Sequence, residues 1–156
     1  DLLKRITKGA TPEAMVAGLA KAKQAGLRVS ATVILGLGGQ AYWREHIDAT
    51  ADLVNQVELD YLSTLQLMID PSIHDEFHRK FREPFQEQDD RALLAEQARL
   101  IERLNPLKPL VFRSNHASNA LALAGNLPQD RQRLLAQLRL ALAGETRLRP
   151  EWLRGY

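Results

Sequence analysis

The stretch Val33-Ile34-Leu35-Gly36-Leu37-Gly38-Gly39-Gln40-Ala41 (VILGLGGQA) joins an apolar run to three closely spaced glycines. The residues from Leu27 to Leu35 are mostly apolar and partly β-branched, which predicts a strand that is covered on both faces. Glycines that follow such a strand often let a ligand approach the backbone. The stretch therefore predicts a parallel strand with a ligand-binding turn at its carboxyl end.

A dinucleotide site is one interpretation of this turn, because three of its residues match G-x-G-x-x-G/A, namely Gly36, Gly38 and Ala41. In that fold the acidic partner of the ribose ends the next strand. Here Glu58 and Asp60 lie at the beginning of the next strand, at the opposite edge of the sheet. The helix after the glycines also begins with the bulky pair Tyr42-Trp43. Both observations disfavour a dinucleotide site.

The rest of the chain alternates between helical and strand patterns. Thr11-Pro12-Glu13 has the residue types of a helix start, and Gly26 suits its end. Further elements are predicted at residues 42–57 (helix), 60–69 (strand), 89–105 (helix), 110–113 (strand) and 128–144 (helix). Strand, helix and strand in this order predict parallel βα units, hence an α/β fold in a single domain. We also expect Trp152 and Leu153 to pack back onto this body.

Three predicted strand ends are polar or rich in glycine. They are Gly36 to Gln40, Asp70 to Ser72, and Ser114 to Asn119. Ligands of parallel α/β proteins gather at the carboxyl ends of the strands. This edge of the sheet is therefore the expected site.

Composition excludes several classes of function. The 156 residues carry a formal net charge of only +2, without a basic run, so we expect no binding to nucleic acid and none to membranes. The sequence shows neither a spanning segment nor a leader pattern, and a cytoplasmic protein is expected. With no cysteine, the chain alone cannot hold a disulfide, a thiolate-bound metal or an iron–sulfur cluster.

Taken together, these segments resemble the radical S-adenosylmethionine (radical SAM) enzymes. Residues 32–40 (TVILGLGGQ) follow the "DLIYGLPGQT" form of their fifth strand, and residues 1–9 (DLLKRITKG) are similar to the helix after the fourth. Residues 65–72 resemble the sixth strand and its exit. Residues 112–119 (FRSNHASN) and the final LRPEWLRGY resemble the C-terminal signature of a group of iron–sulfur oxidoreductases.

The resemblance implies part of a (βα)6 partial TIM-type barrel over residues 1–113, followed by a C-terminal helical extension over 114–156. Backbone and apolar atoms of two strand exits would contact the adenine of S-adenosylmethionine: Ile34, Leu35, Gly36, Leu67, Met68 and Ile69. In this interpretation the glycines leave room for the ligand, and Arg5 or Lys4 contacts the cofactor carboxylate. The family's [4Fe–4S] cluster requires a C-x-x-x-C-x-x-C motif, which this chain lacks.

We therefore expect the C-terminal part of a longer enzyme, since the chain opens at Asp1 without Met in what looks like the middle of a helix. Its partner would be the missing N-terminal half of the same polypeptide. Alone, the chain is expected to be inactive, to bind S-adenosylmethionine weakly or not at all, and to self-associate through an exposed strand edge. The alternative is a self-sufficient, non-catalytic α/β module that binds a ligand or a partner.

Histidines and amides are the remaining candidates. Asn115, His116 and Asn119 are expected to line a substrate pocket, or else to cap a following helix and satisfy loop backbone. His46, His74 and His78 are predicted to be surface residues. The spacing of His74 and His78 would suit a metal on a helix, but no HExxH-type glutamate accompanies them, and the sequence predicts neither a metal site nor a catalytic residue.

Overall fold

The computed structural model of the protein describes residues 2–81 and 83–155. Asp1 and Tyr156, which belong to the two terminal segments of the resemblance, lie outside the described residues. The helices are α1 (Leu2–Arg5), α2 (Pro12–Gln24), α3 (Gly39–Val54), α4 (His74–Arg79), α5 (Asp90–Arg103) and α6 (Arg131–Leu142). The strands are β1 (Ser30–Leu35), β2 (Tyr61–Gln66), β3 (Leu110–Ser114) and β4 (Leu123–Leu127). Short 3₁₀ turns occupy Pro71–Ile73 and Glu151–Leu153.

Local capping explains where two of the helices begin. The Oγ1 atom of Thr11 accepts a hydrogen bond from the backbone N–H of Ala14 at 3.2 Å, and Pro12 opens α2. At α5 the Oδ1 atom of Asp89 accepts from the N–H of Ala92 at 2.8 Å. Both starts were predicted from the sequence and are confirmed.

The strands form one open sheet in the order β1-β2-β3-β4, which confirms the α/β class. β1, β2 and β3 are parallel neighbours, joined by crossovers through α3 and α5, whereas β4 pairs antiparallel with β3. Leu35 lies opposite Gln66, and Phe112 lies between Leu62 and Gly125. The described residues thus form a four-stranded, mostly parallel sheet.

The segment 114–156 differs from the expected helical extension. After the end of β3 and a loop it forms β4, an edge strand, and among the described residues no helix follows directly after Asn119. The sequence LALAGNL of residues 121–127 does not predict a strand, because alanine and leucine favour helices and Gly125 is unfavourable in both helices and strands. Pairing with β3 decides its conformation.

Within residues 2–81 and 83–155, the helices cover only one face of the sheet. The core joins inward strand residues to α3, α5 and α6, and includes Leu35, Ile47, Leu62, Leu94, Leu100, Ile101, Phe112, Leu134 and Leu138. On the other face Thr32 and Ile34 are exposed and Ser63 and Leu65 are half-buried. The prediction that β1 is covered on both faces is therefore wrong within the described residues, and its burial alternates with the pleat. We call this second surface the open face.

The C-terminal tail is anchored by arginines and by Leu148, which packs against the core. Arg154 donates to both carboxylate oxygens of Asp90, at 2.7 and 2.5 Å. Trp152 and Leu153 remain 79% and 56% exposed, so the prediction that they pack back is wrong. None of the helices in the ranges 2–81 and 83–155 has the length and apolar character needed to cross a membrane.

Candidate functional site

The three predicted strand exits meet at one edge of the sheet. The backbone N–H of Leu67, just after β2, donates to the carbonyl of Leu35 at the end of β1, at 2.9 Å. The N–H of Gln66 donates to Oδ1 of Asn119, at 2.9 Å, which ties the exit of β2 to the loop after β3. The candidate site predicted from the sequence is thus brought together by the parallel pairing.

The glycines of the turn after β1 are packed against protein. Gly36 has φ +85°, and a Cβ at this position would lie 2.9 Å from Cδ2 of Leu93. A Cβ on Gly39, with φ +57°, would lie 2.9 Å from the carbonyl oxygen of Gln86. These glycines therefore permit a left-handed backbone and close contact with α5 and with the 83–89 loop. The sequence predicts that the glycines leave room for a ligand, but the space beside Gly36 and Gly39 is occupied by Leu93 and Gln86.

A buried carboxylate lies beneath this turn. Glu96 of α5 has a fully buried side chain, and its Oε1 and Oε2 atoms accept from the backbone N–H of Gly36 at 3.1 and 3.2 Å. Gln88 donates its Nε2–H to Oε2 at 2.6 Å, and Nδ1 of His46 lies 3.3 Å from Oε1. Glu96 therefore fixes the turn to α5 and to α3.

Sequence reasoning missed this network, although a signal was present. Leu93, Glu96, Gln97 and Leu100 have the i, i+3, i+4, i+7 spacing of one helix face, so the stripe itself places Glu96 and Gln97 towards the core. The prediction of a surface position for His46 is also wrong, because only 11% of its side chain is exposed.

The amide of Asn119 binds to the exits of β2 and β3. Its Nδ2 donates to the carbonyl of Thr64 at 2.8 Å and to Oγ of Ser114 at 2.9 Å. Its Oδ1 accepts from the N–H of Gln66 at 2.9 Å and lies 3.3 Å from Oγ of Ser118, which is closer, at 2.9 Å, to Nδ1 of His116. Both donor hydrogens and one acceptor lone pair of this buried amide are therefore used within the protein. It braces the exits of β2 and β3.

His116 and Asn115 are exposed, in contrast to Asn119. Nδ1 of His116 accepts from the backbone N–H of Ser118 at 3.2 Å, which leaves Nε2 as the protonated nitrogen of the neutral ring. Arg149 donates to the carbonyls of His116 and Ala117, at 3.0 and 2.8 Å, and holds the loop in place. No helix follows for His116 to cap, and contact with a substrate stays a prediction for this residue and for Asn115.

The residues predicted to contact adenine divide into two groups. Leu35 is 1% exposed and Gly36 is buried, so both belong to the packed interior. Ile34 and Met68 are each 38% exposed, and Leu67 and Ile69 are half-buried. Contact with adenine stays a prediction for all six.

Free backbone donors accompany the exposed group. Within residues 2–81 and 83–155, the N–H groups of Leu37, Met68 and Ile69 donate to no protein acceptor. An apolar surface beside open N–H groups can hold a flat heterocycle and pair with its polar edge.

Arg5, one of the two basic residues considered for a cofactor carboxylate, is engaged elsewhere. Nη1 of Arg5 lies 3.3 Å from Oε1 of Glu83, and its guanidinium lies over the rings of Tyr42 and Phe81. A hydrogen bond with Glu83 raises the pKa of Tyr42, and the same bond, with the contribution of Arg5, lowers the pKa of Glu83. These contacts tie α1 to the 83–89 loop.

The candidate site therefore consists of an apolar edge at Ile34 and Met68, a braced loop that presents Asn115 and His116, and a buried carboxylate underneath. Each part combines residues that are far apart in the sequence. No family model matches the chain, and no curated protein and no solved structure is significantly similar to it.

Proposed function

We propose that the chain supplies the adenine-side part of an S-adenosylmethionine site in a radical SAM type of iron–sulfur oxidoreductase. The observation that carries this proposal is the pair of exposed apolar side chains, Ile34 and Met68, beside the open N–H groups of Leu37, Met68 and Ile69. An adenine ring has two apolar faces and an edge of hydrogen-bond acceptors and an amino group. Both features have counterparts at this edge of the sheet.

The arrangement of helices supports a barrel origin. In a βα barrel, successive parallel strands are neighbours, the helices lie outside, and the opposite face of the sheet lines the interior. β1, β2 and β3 are neighbours in chain order, and their helices pack on one face. The open face, with Thr32, Ile34, Ser63 and Arg113, would then be the interior of a partial (βα)6 barrel.

The cluster of such an enzyme does not fit this chain. Thiolates hold [4Fe–4S] clusters, and none of the 156 residues is a cysteine. Reductive cleavage of S-adenosylmethionine is chemistry that cofactor and cluster supply together, and no step of it is assigned to these residues. The proposed contribution of the chain is to bind and orient the adenine, and catalysis would require thiolates from another polypeptide segment.

Titration of the chain with adenosine, S-adenosylhomocysteine and S-adenosylmethionine, followed by NMR, tests this proposal. We expect all three ligands to shift the amide signals of residues 34–37 and 67–69 with similar, weak affinity, with Kd about 1 mM or higher. The affinities should be similar because only the adenine finds its contacts.

The substitution Ile34→Asp should weaken adenosine binding at least about tenfold, because it places a charge against the ring. Ser30→Asp is the matched control, since Ser30 is also exposed on the open face of β1 but lies at the other end of the strand. If the amide signals of residues 34–37 and 67–69 do not shift at about 10 mM adenosine, or if both variants bind adenosine equally well, the adenine site is rejected. The non-catalytic module would then be the better interpretation.

A further inference from the structure

A cluster of possible metal ligands lies outside the adenine edge, between α4 and the 83–89 loop. His74, His78 and Glu87 each offer one ligand atom, and these atoms all lie within 4.8 Å of one another. The two histidines are one helical turn apart, so the same face of α4 presents both. The sequence shows their spacing, but only the fold brings a carboxylate to it.

The ring of His78 is held in place by neighbouring aromatic rings. Its centroid lies 5.6 Å from that of Phe85 in an edge-on contact and 4.1 Å from that of His74 in a stacked one. Nε2 of His78 is buried, and it has no hydrogen-bond partner in the part of the chain that the structure describes. A buried ring nitrogen without a partner is unfavourable, and a metal ion would satisfy its lone pair.

The other two ligands are supported from outside the cluster. Nδ1 of His74 lies 3.3 Å from Oδ1 of Asp75, and a hydrogen bond there would leave Nε2 to carry the lone pair that binds a metal. The carbonyl of Glu87 accepts from Nε2 of Gln40 at 2.9 Å, and the neighbouring Gln86 carbonyl accepts from the N–H of Gln40 at the same distance. The loop that carries Glu87 is thus fixed to the start of α3.

We propose that His74, His78 and Glu87 form a binding site for a first-row divalent transition metal, with Zn²⁺ as the expected ion. Two imidazoles and one carboxylate suit Zn²⁺ and disfavour Mg²⁺ and Ca²⁺, which prefer oxygen ligands. Metal–nitrogen distances of 2.0–2.1 Å require ligand atoms about 3.3 Å apart in a tetrahedral site. His74 and Glu87 are exposed, so rotation of their side chains can close the remaining gap.

This site is separate from the adenine edge, and its test does not depend on enzymatic activity. The purified chain is titrated with Zn²⁺ against a chromophoric chelator, and Co²⁺ is used as a spectroscopic substitute. We expect one ion per chain and Co²⁺ absorption bands typical of four-coordinate nitrogen and oxygen ligands. The absence of stoichiometric binding at about 100 μM Zn²⁺ would overturn the proposal.

Substitutions assign the ligands. His74→Ala and Glu87→Gln should each weaken Zn²⁺ binding at least about 100-fold, since even residues that only support ligands contribute 10–100-fold. Both residues are exposed, so the variants should remain folded, as circular dichroism would verify. Glu76→Gln is the matched control because it removes the same charge from α4 outside the cluster, and it should change the affinity less than about threefold. Unchanged binding in His74→Ala and Glu87→Gln would show that the ion binds elsewhere and would refute the site.

Discussion

Replacing Glu96 by alanine should reveal how strongly the glycine turn depends on the carboxylate beneath it. The substitution removes the acceptor of the Gly36 N–H, at 3.1 and 3.2 Å, and that of Gln88, at 2.6 Å. It also removes the carboxylate that faces Nδ1 of His46 at 3.3 Å. Gly36 is buried, so its N–H cannot turn to bulk water, whereas Gln88 and His46 are partly accessible.

The expected loss of stability follows from these contacts. The Gly36 N–H, left without an acceptor, contributes about 1–3 kcal/mol, and the two accessible partners contribute about 0.5–1 kcal/mol each. The small cavity left by the shorter side chain adds about 1 kcal/mol to the loss. The variant no longer buries a carboxylate, and the desolvation cost that it avoids offsets part of the sum. We expect the free energy of unfolding of Glu96→Ala to fall by about 3 kcal/mol. Glu96→Gln keeps one acceptor for Gly36 and should lose only about 1 kcal/mol.

Urea unfolding followed by circular dichroism measures these differences. Glu102→Ala is the matched control, because Glu102 lies on the exposed side of the same helix and its replacement should change stability by less than about 0.5 kcal/mol. A loss below about 1 kcal/mol for Glu96→Ala would refute the reasoning, because the carboxylate would then be no more than a tolerated buried charge.

Two further predictions concern the loop after β3 and the surface of α3. Asn119→Ala should lower the free energy of unfolding by about 3–4 kcal/mol, because removal of the 2% exposed amide leaves its buried partners unpaired. In the control Asn115→Ala, which replaces an exposed residue, the free energy of unfolding should change by less than about 0.5 kcal/mol. Similar losses for the two variants in urea unfolding would contradict the bracing role of Asn119. A hydrogen bond and the charge of Arg99 lower the pKa of Asp48 in the folded chain. Its contribution is therefore present above the unfolded pKa of about 3.9 and is lost as the pH falls through the lower folded pKa. The stability difference between wild type and Asp48→Asn should shrink when urea unfolding is repeated from about pH 5 to about pH 3, and a constant difference would contradict this assignment.

Much of the fold could be predicted from local patterns. The starts of α2 and α5 follow from Thr11 and Asp89, because a capping side chain needs only the next few residues. The order of β1, α3 and β2 follows from hydrophobic periodicity together with the short reach of a crossover connection. β4 could not be predicted in this way, since residues 121–127 have weak local preference and become a strand only by pairing with β3.

The candidate site depended more on tertiary structure. The sequence by itself determined which residues end the strands, because parallel strands leave their carboxyl ends at one edge, and it determined the absence of thiolate ligands. It could not determine that Gly36 faces Leu93 and Glu96, nor that the buried amide of Asn119 bonds to Thr64, Gln66 and Ser114. It also could not bring Glu87 to His74 and His78. These contacts join residues that are distant in sequence. Only the packing of α5 against the sheet and of α4 against the 83–89 loop decides which polar groups bond within the protein and which remain available to a ligand.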